Sequence, residues 1–253
     1  MASSKDITLK AGGAVYHFKF LEWDTVFFGR DCYLLDADNS ILVPSAKIRA
    51  MAAGKLKNSF VTVKIPADSD NGSIAFLQTM GFAYIDTEIT FKYAGGKAKD
   101  PSLAPGVKVL ELKKNEGLPC EELGGVFRYS RFHSDTRIPK EKADLLWINY
   151  IKCFRPSKAG RIFIAKFRNE TAGAVLANVS RDGKRSRLFF VAVLKRFQGK
   201  GIGSALLRYA AKKLQATELT VGTQAKNVSA QNTYIKNGFN EVKETMIIFH
   251  RWS

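Results

Sequence analysis

The stretch LFFVAVLKRFQGKGIGSALLRYAAKKL, residues 188–214, decides the fold. Its first seven residues form an uninterrupted apolar run, the pattern of a buried strand. QGKGIG follows at Gln198–Gly203, and then Ile202, Ala205, Leu206, Tyr209 and Ala210 recur at helical spacing, with Arg208, Lys212 and Lys213 on the other face. A backbone without Cβ at Gly199, Gly201 and Gly203 lets a phosphate approach the amides, and the helix N-terminus adds partial positive charge at the same place. The order strand, glycine loop, helix predicts a pyrophosphate site.

Several nucleotide folds use such loops, so spacing has to discriminate among them. A dinucleotide fingerprint needs glycines in the order GxGxxG and an acidic residue about 20 residues later at a strand end. Here the glycine order differs, and Glu218 stands at the start of its strand, ELTVGT. A GxxxxGK[ST] phosphate loop is absent from the sequence. Downstream, VGTQAKNVSAQNTYIKNGF (residues 221–239) reads as a strand end and a helix beginning near Ala230. Asn227 or Ser229 can cap that helix and Gly238 can end it.

Gln198-x-x-Gly201-x-Gly203 after Val191-Ala192-Val193, joined to Asn227-x-x-Ala230-x-x-x-Tyr234-x-x-x-Gly238-Phe239, resembles the acyl-CoA motif of the GNAT superfamily of N-acyltransferases. The resemblance implies a donor site at Val191, Ala192, Val193, Gln198, Gly199, Lys200, Gly201, Ile202, Gly203, Ser204 and Asn227. In that family the strand before the loop is splayed from its neighbour, and its free backbone groups pair with the pantetheine arm. The Asn contacts CoA, and the Tyr hydroxyl faces the CoA sulfur. Attack of an amine on a thioester expels a thiolate, so a proton donor belongs near sulfur, and a phenol with pKa near 10 stays protonated at neutral pH. Tyr234 is the expected general acid. Lys195, Arg196 and Lys200 flank the loop, where they either neutralise phosphates or form part of a solvated basic face.

Around this segment, VKVLEL is a strand, CEELGGVFRYS helix-like and Pro139–Phe154 a helix. RIFIAKFRN, TAGAVLANV and SRLFFVAVL make three strands with turns at Asn169-Glu170 and Asp182-Gly183. The order is that of a mixed-sheet α/β GNAT domain. FLQTMGFAYIDTEITFKY near the middle and YIKNGFNEVKETMIIFHRW at the end share a helix, a Gly-Phe pair and a strand, which predicts an internal repeat. The first copy lacks a QGKGIG equivalent and places Phe76 against Tyr234. The expected organisation is a truncated GNAT-like domain at 1–93, a linker at 94–106 (AGGKAKDPSLAPG) and a catalytic domain at 107–253.

Composition bounds the rest. In 253 residues, 45% hydrophobic content supplies a core, and neither a signal-peptide pattern nor an apolar run of spanning length occurs, so a cytoplasmic protein is expected. Cys32, Cys120 and Cys153 are odd in number and lack CxxC spacing, so neither a disulfide framework nor a metal site is expected. The net charge of +17 favours anionic partners, phosphorylated small molecules among them, but the cations are spread along the chain without a nucleic-acid signature.

For the acceptor, LEWDTVFFGRDCYLLDA (residues 21–37), SRFHSDTRIP with WINYI (130–151) and the Thr223-Gln224 ending resemble the dTDP-fucosamine acetyltransferase family. That resemblance implies acetyl-CoA as donor and a dTDP-4-amino-4,6-dideoxyhexose as acceptor. The site residues on the acceptor side are then Phe28, Arg131, His133 and Asp135, with Arg137 nearby. These residues otherwise serve packing or a structural loop. The alternatives are a GNAT enzyme acting on a protein, polyamine or aminoglycoside amine, or a basic RNA-associated module on the same scaffold. The final strand, TMIIFHRW, offers an edge for a homodimer.

Overall fold

The computed structural model describes residues 5–11, 14–36, 46–95, 105–113 and 116–253. Most of the linker expected at 94–106 lies outside the described residues. The chain divides into two compact units, Met1–Glu88 with Thr245–Ser253, and Ile89–Glu244.

The first unit contains β1 (Ile7–Ala11), β2 (Ala14–Phe20), α1 (Glu22–Phe28), β3 (Asp31–Asp36), α2 (Ala46–Lys55), β4 (Ser59–Pro66) and α3 (Asn71–Thr79), and the chain leaves it along β5 (Ala83–Lys92). Its strand order is β1-β2-β3-β4, antiparallel except for β3–β4, and β4 is then flanked by the last strand of the chain. Strand β4 is buried along almost its whole length, because Val61, Val63 and Ile65 face a core that includes Phe76, Leu77 and Phe82. The residues Trp23, Phe27 and Phe28 lie on α1, which ends at Gly29 in the left-handed conformation. Trp23 stacks on Phe27 at 5.6 Å, and Phe28 packs against Phe60 and Trp252 at 5.3 and 5.9 Å.

The second unit contains β6 (Val107–Glu111), α4 (Cys120–Gly125), α5 (Arg131–Ser134), α6 (Lys140–Cys153), β7 (Gly160–Phe167), β8 (Glu170–Val179), β9 (Arg185–Val193), α7 (Ile202–Leu214), β10 (Glu218–Gln224) and α8 (Val228–Lys236). The chain then enters β11 (Glu241–Trp252). Strand order is β5-β10-β9-β8-β7-β6. The β6–β9 meander is antiparallel and β9–β10 parallel, as α7 between them requires. The β7–β8 turn is centred on Arg168 and Asn169, both with positive φ, one residue earlier than the sequence places it. Helix α7 lays Ile202, Leu206 and Ala210 against the sheet, into a core with Phe163, Phe190 and Phe239. The Ile, Leu and Phe side chains each contribute about 1.5–3 kcal/mol of burial.

The repeat is visible in the capping. Asp70 caps α3 by accepting from Ser73 N at 2.9 Å, and Asn227 caps α8 by accepting from Ala230 N at 3.3 Å, so Asn227 rather than Ser229 is the cap. Both helices end in a Schellman motif. Phe82 N donates to Leu77 O and Gly81 N to Gln78 O, as Phe239 N donates to Tyr234 O and Gly238 N to Ile235 O. These bonds make Leu77, not Phe76, the counterpart of Tyr234. The first copy therefore holds an aliphatic side chain at that place.

Terminal strands are exchanged between the copies. After α3 the chain contributes Ile89–Lys92 to the second unit, where Tyr93 N donates to Leu219 O of β10. After α8 it contributes Met246–Trp252 to the first, antiparallel to β4. The final strand, expected to offer a free edge for a dimer, is thus paired within its own chain.

Gly238 has φ of +89°, and a Cβ there would lie 2.7 Å from Tyr93 Cε2 and 3.1 Å from Gly95 O. Gly183 also has positive φ, but a Cβ meets nothing within 4 Å. Gly238→Ala is expected to lose about 2–4 kcal/mol through combined strain and overpacking, and Gly183→Ala only about 1 kcal/mol. Thermal melts of the two variants check the difference.

Candidate active site

The pairing of β9 with β10 stops at Leu188–Val221. Beyond it, β9 continues to Val193 and β10 to Gln224 with no register between them, while β9 stays paired to β8 as far as Val193–Gly173. Its bulge lies at the same point: Leu176 faces Phe190 and Ala177 faces Leu188, so Phe189 is an extra residue. A bulge adds local bend and twist, which turns the end of β9 away from β10.

The resulting cavity, about 750 Å³, has Val191, Ala192 and Val193 on one wall and Gly222, Thr223 and Gln224 on the other. Gln198, Gly199, Gly201, Ile202, Gly203 and Ser204 close one end, and Asn227 and Tyr234 also line it. Of the donor-site residues expected from sequence, Lys200 alone is outside the lining; its ammonium lies over the Phe167 and Phe197 rings at 5.1 and 5.6 Å. Arg196 is held by Glu122 and Glu170. Lys195 is the one flanking cation that reaches the cavity wall.

Local geometry suits an anion. Gly199 and Gly201 have φ of +75° and +74°, and Gly201 is the N-cap of α7 without a side chain to cap it. Helices α3, α5 and α8 all carry side-chain caps. The first amides of α7 therefore point at the cavity end unsatisfied by a cap, with the helix dipole behind them. The loop is held by Gln198 Nε2, which donates to Val193 O at 3.0 Å, so this carbonyl is occupied within the protein. Ser204 Oγ accepts from Asn237 Nδ2 at 2.9 Å, which ties α7 to the end of α8. Asn227 is likewise engaged, since its Nδ2 donates to Thr223 Oγ1 at 3.1 Å while its Oδ1 caps α8.

Tyr234 is 6% exposed and packs edge-on to Phe91 at 6.3 Å. Burial pushes its phenol well above the ordinary value. It lines the cavity, and its hydroxyl has no hydrogen-bond partner among the described residues. A phenol held neutral and left without a protein partner is suited to donate a proton to a group in the cavity.

The acceptor-side residues expected from sequence are not on the lining. Phe28 belongs to the aromatic cluster of the first unit. In the second, Arg131 covers the Phe132 ring at 4.4 Å and buried Asp135 is forked by Arg137 at 2.8 and 2.9 Å. His133 has both ring nitrogens engaged, Nδ1 with Ser130 Oγ at 2.7 Å and Nε2 with Asp144 Oδ1 at 3.0 Å. Burial pushes its pKa down despite Asp144, so the neutral ring donates from Nε2 to the carboxylate and accepts from Ser130 at Nδ1. What the sequence reading missed is Val126–Tyr129, read there as the end of a helix. Helix α4 stops at Gly125, because a Cβ on Gly124 would meet Ile148 of α6 at 2.5 Å and the pair of glycines weakens the helix. The four residues after it line the cavity.

A parted parallel strand pair with an uncapped helix N-terminus and a buried phenol on the cavity lining is the arrangement that the sequence resemblance led one to expect. Residues 128–239 match the Acetyltransferase (GNAT) family. The match covers less than half of the chain and coincides with the segment that builds the cavity. Solved structures extend the fold over both copies. A tandem GNAT protein from the clavulanic acid biosynthesis pathway has TM-score 0.59 at 12% identity, over 98% of this chain and 82% of its own. A GCN5-related N-acetyltransferase from Kribbella flavida has 0.62 at 15%, over 97% and 89%, and a functionally unknown protein from Staphylococcus epidermidis 0.65 at 13%, over 98% and 94%. No curated protein matches the chain. No helix among the described residues is long and apolar enough to cross a membrane.

Tyr234→Phe is expected to lower kcat by about 10²-fold or more with little change in the KM for acetyl-CoA or in melting temperature, because the hydroxyl bonds nothing among the described residues. The raised pKa also fixes a sign. The acid form persists above the ordinary phenol value, so loss of rate by ionisation of Tyr234 is expected only above about pH 10. A pH profile of kcat, in buffers that keep the protein folded, checks it.

Proposed function

We propose that the chain transfers the acetyl group of acetyl-CoA to the amino group of a nucleotide-activated amino-deoxysugar, of the dTDP-4-amino-4,6-dideoxyhexose type, for cell-surface polysaccharide synthesis. The observation that carries this reading is the charge of the cavity. Among the described residues that line it, Arg128 and Lys195 are charged, both are cations, and none is Asp, Glu or His. A polyamine, an aminoglycoside or a lysine-rich peptide would be repelled by such a wall, whereas an amine carried on a diphosphate is attracted. The resemblance of LEWDTVFFG and the SRFH segment to the dTDP-fucosamine acetyltransferase family supports the same acceptor.

The donor enters with its pyrophosphate on the Gly199–Gly203 amides and its pantetheine along the Val191–Val193 edge. The neutral amine attacks the thioester carbonyl carbon, and the tetrahedral adduct expels the thiolate. Tyr234 gives its proton to sulfur, and the phenol is restored by the proton that the new amide nitrogen loses. None of Cys32, Cys120 and Cys153 lines the cavity, in keeping with direct transfer in a ternary complex without an acyl-enzyme.

The test is thiol release from acetyl-CoA against dTDP- and UDP-linked 4-amino and 3-amino sugars, with spermidine, an aminoglycoside and a lysine peptide as controls. Turnover confined to a nucleotide sugar is the expected outcome. Preference for any of the cationic controls would replace the proposed acceptor.

A further inference from the structure

Arg128 belongs to the wall segment that follows α4, whereas Lys195 immediately precedes the glycine loop. The two cations thus stand on different elements, and only Lys195 adjoins the motif that takes the donor's pyrophosphate. Arg128 is half exposed, and its one ion pair among the described residues is a long one, Nη1 to Asp144 Oδ2 at 3.4 Å. Asp144 is better satisfied elsewhere. Lys140 Nζ reaches the same oxygen at 2.5 Å and His133 Nε2 reaches the other at 3.0 Å.

The charges in this cluster do not cancel. Asp144 contributes −1, Lys140 and Arg128 contribute +1 each, and His133 is neutral, so the sum is +1, with Arg128 as its member on the cavity lining. Most donors of the guanidinium remain available, in a fork suited to two phosphate oxygens. Behind it, the bonds of His133 to Ser130 and Asp144 fasten the end of the wall segment to α6 and limit its motion.

We infer that Arg128 is the specificity-determining residue for the acceptor and binds its diphosphate, separately from the pyrophosphate of the donor. This rests on the nucleotide-sugar reading above and names the side chain that would enforce it. Asp144, Lys140 and His133 act as positioning residues.

The experiment titrates dTDP into enzyme already saturated with CoA, so that the donor site is filled, and follows the heat of binding. Wild type is expected to bind, and Arg128→Gln to bind about ten- to hundredfold more weakly, the range for a charge-assisted hydrogen-bonded pair. Arg128→Lys should recover part of the loss, and exposed Lys158→Gln, which removes one positive charge elsewhere, should change nothing. An unaltered melting temperature for Arg128→Gln is expected, since an exposed pair of this length adds little stability. Equal dTDP affinity in wild type and Arg128→Gln would overturn the inference, as would no dTDP binding by CoA-saturated wild type. The failures are separable: turnover of a nucleotide sugar with full activity in Arg128→Gln removes the residue's role and leaves the acceptor class standing, whereas turnover of spermidine alone removes both.

Discussion

Everything at the site depends on one parallel strand pair that stops pairing. Backbone groups withdrawn from a ladder have to find partners, and a buried strand end with none would cost about 1–3 kcal/mol per group. Here β9 keeps its β8 ladder to Val193, so only one edge is released, and the bulge at Phe189 falls at the place where pairing to β10 ends. The glycine loop and the uncapped start of α7 add unpaired amides at the same opening. In the proposed reading, the open edge and the open helix end are two halves of one complementary surface, extended backbone for the pantetheine and convergent N–H groups for the pyrophosphate. The antiparallel meander on the far side makes this opening tolerable, because it fixes β9 without help from β10.

The exchange of terminal strands sets an order on assembly. Strand β4 pairs with Met246–Trp252, which follow the whole of the second unit, and β10 receives Tyr93, which precedes most of the second unit. The first unit cannot complete its sheet before Met246–Trp252 are in place, and β4, rich in Phe60, Val61, Val63 and Ile65, keeps an unpaired apolar edge until then. Such an edge is an aggregation hazard. The same exchange gives the first copy a structural part in the sheet that carries the cavity. The first copy lacks the phenol, having Leu77 in place of Tyr234, yet its strand is needed beside β10.

How much of this was legible depends on whether the signal was local. The 188–239 segment announced strand, loop, helix and cap in order, since glycines, periodicity and an Asn three residues before Ala230 are properties of neighbours in sequence. The fold class and the GNAT domain followed from it. The helix end at Gly125 did not, because it is set by contact of Gly124 with Ile148 of a different helix, and so the Val126–Tyr129 wall stayed hidden. The pairing of the last strand with β4 is equally non-local: TMIIFHRW reads as an edge when no partner is in view. For His133, Asp135 and Arg137 the residue types suggested chemistry, while their partners turn out to be each other, Ser130 and Asp144. The Phe76 alignment differs by a single residue, since an aromatic at 76 resembles Tyr234 in type while the Schellman bonds count back to Leu77.

The burial of Tyr234 constrains how it would operate as the acid of the proposed reaction. A thiol has pKa near 8.5 and an unperturbed phenol near 10, so full transfer from phenol to thiolate is uphill by about 1.5 units, roughly 2 kcal/mol. Desolvation raises the phenol further and makes a free tyrosinate still less accessible. Tyr234 therefore cannot act as a reservoir that gives up its proton and waits for another. It has to be replenished as it donates, and the acidic N–H of the tetrahedral adduct is the source the reaction itself supplies. A cavity wall without carboxylate or imidazole among its described residues fits that economy of protons. In the proposed reaction the amine arrives neutral from solution, and the proton it sheds after attack is the one that ends on sulfur.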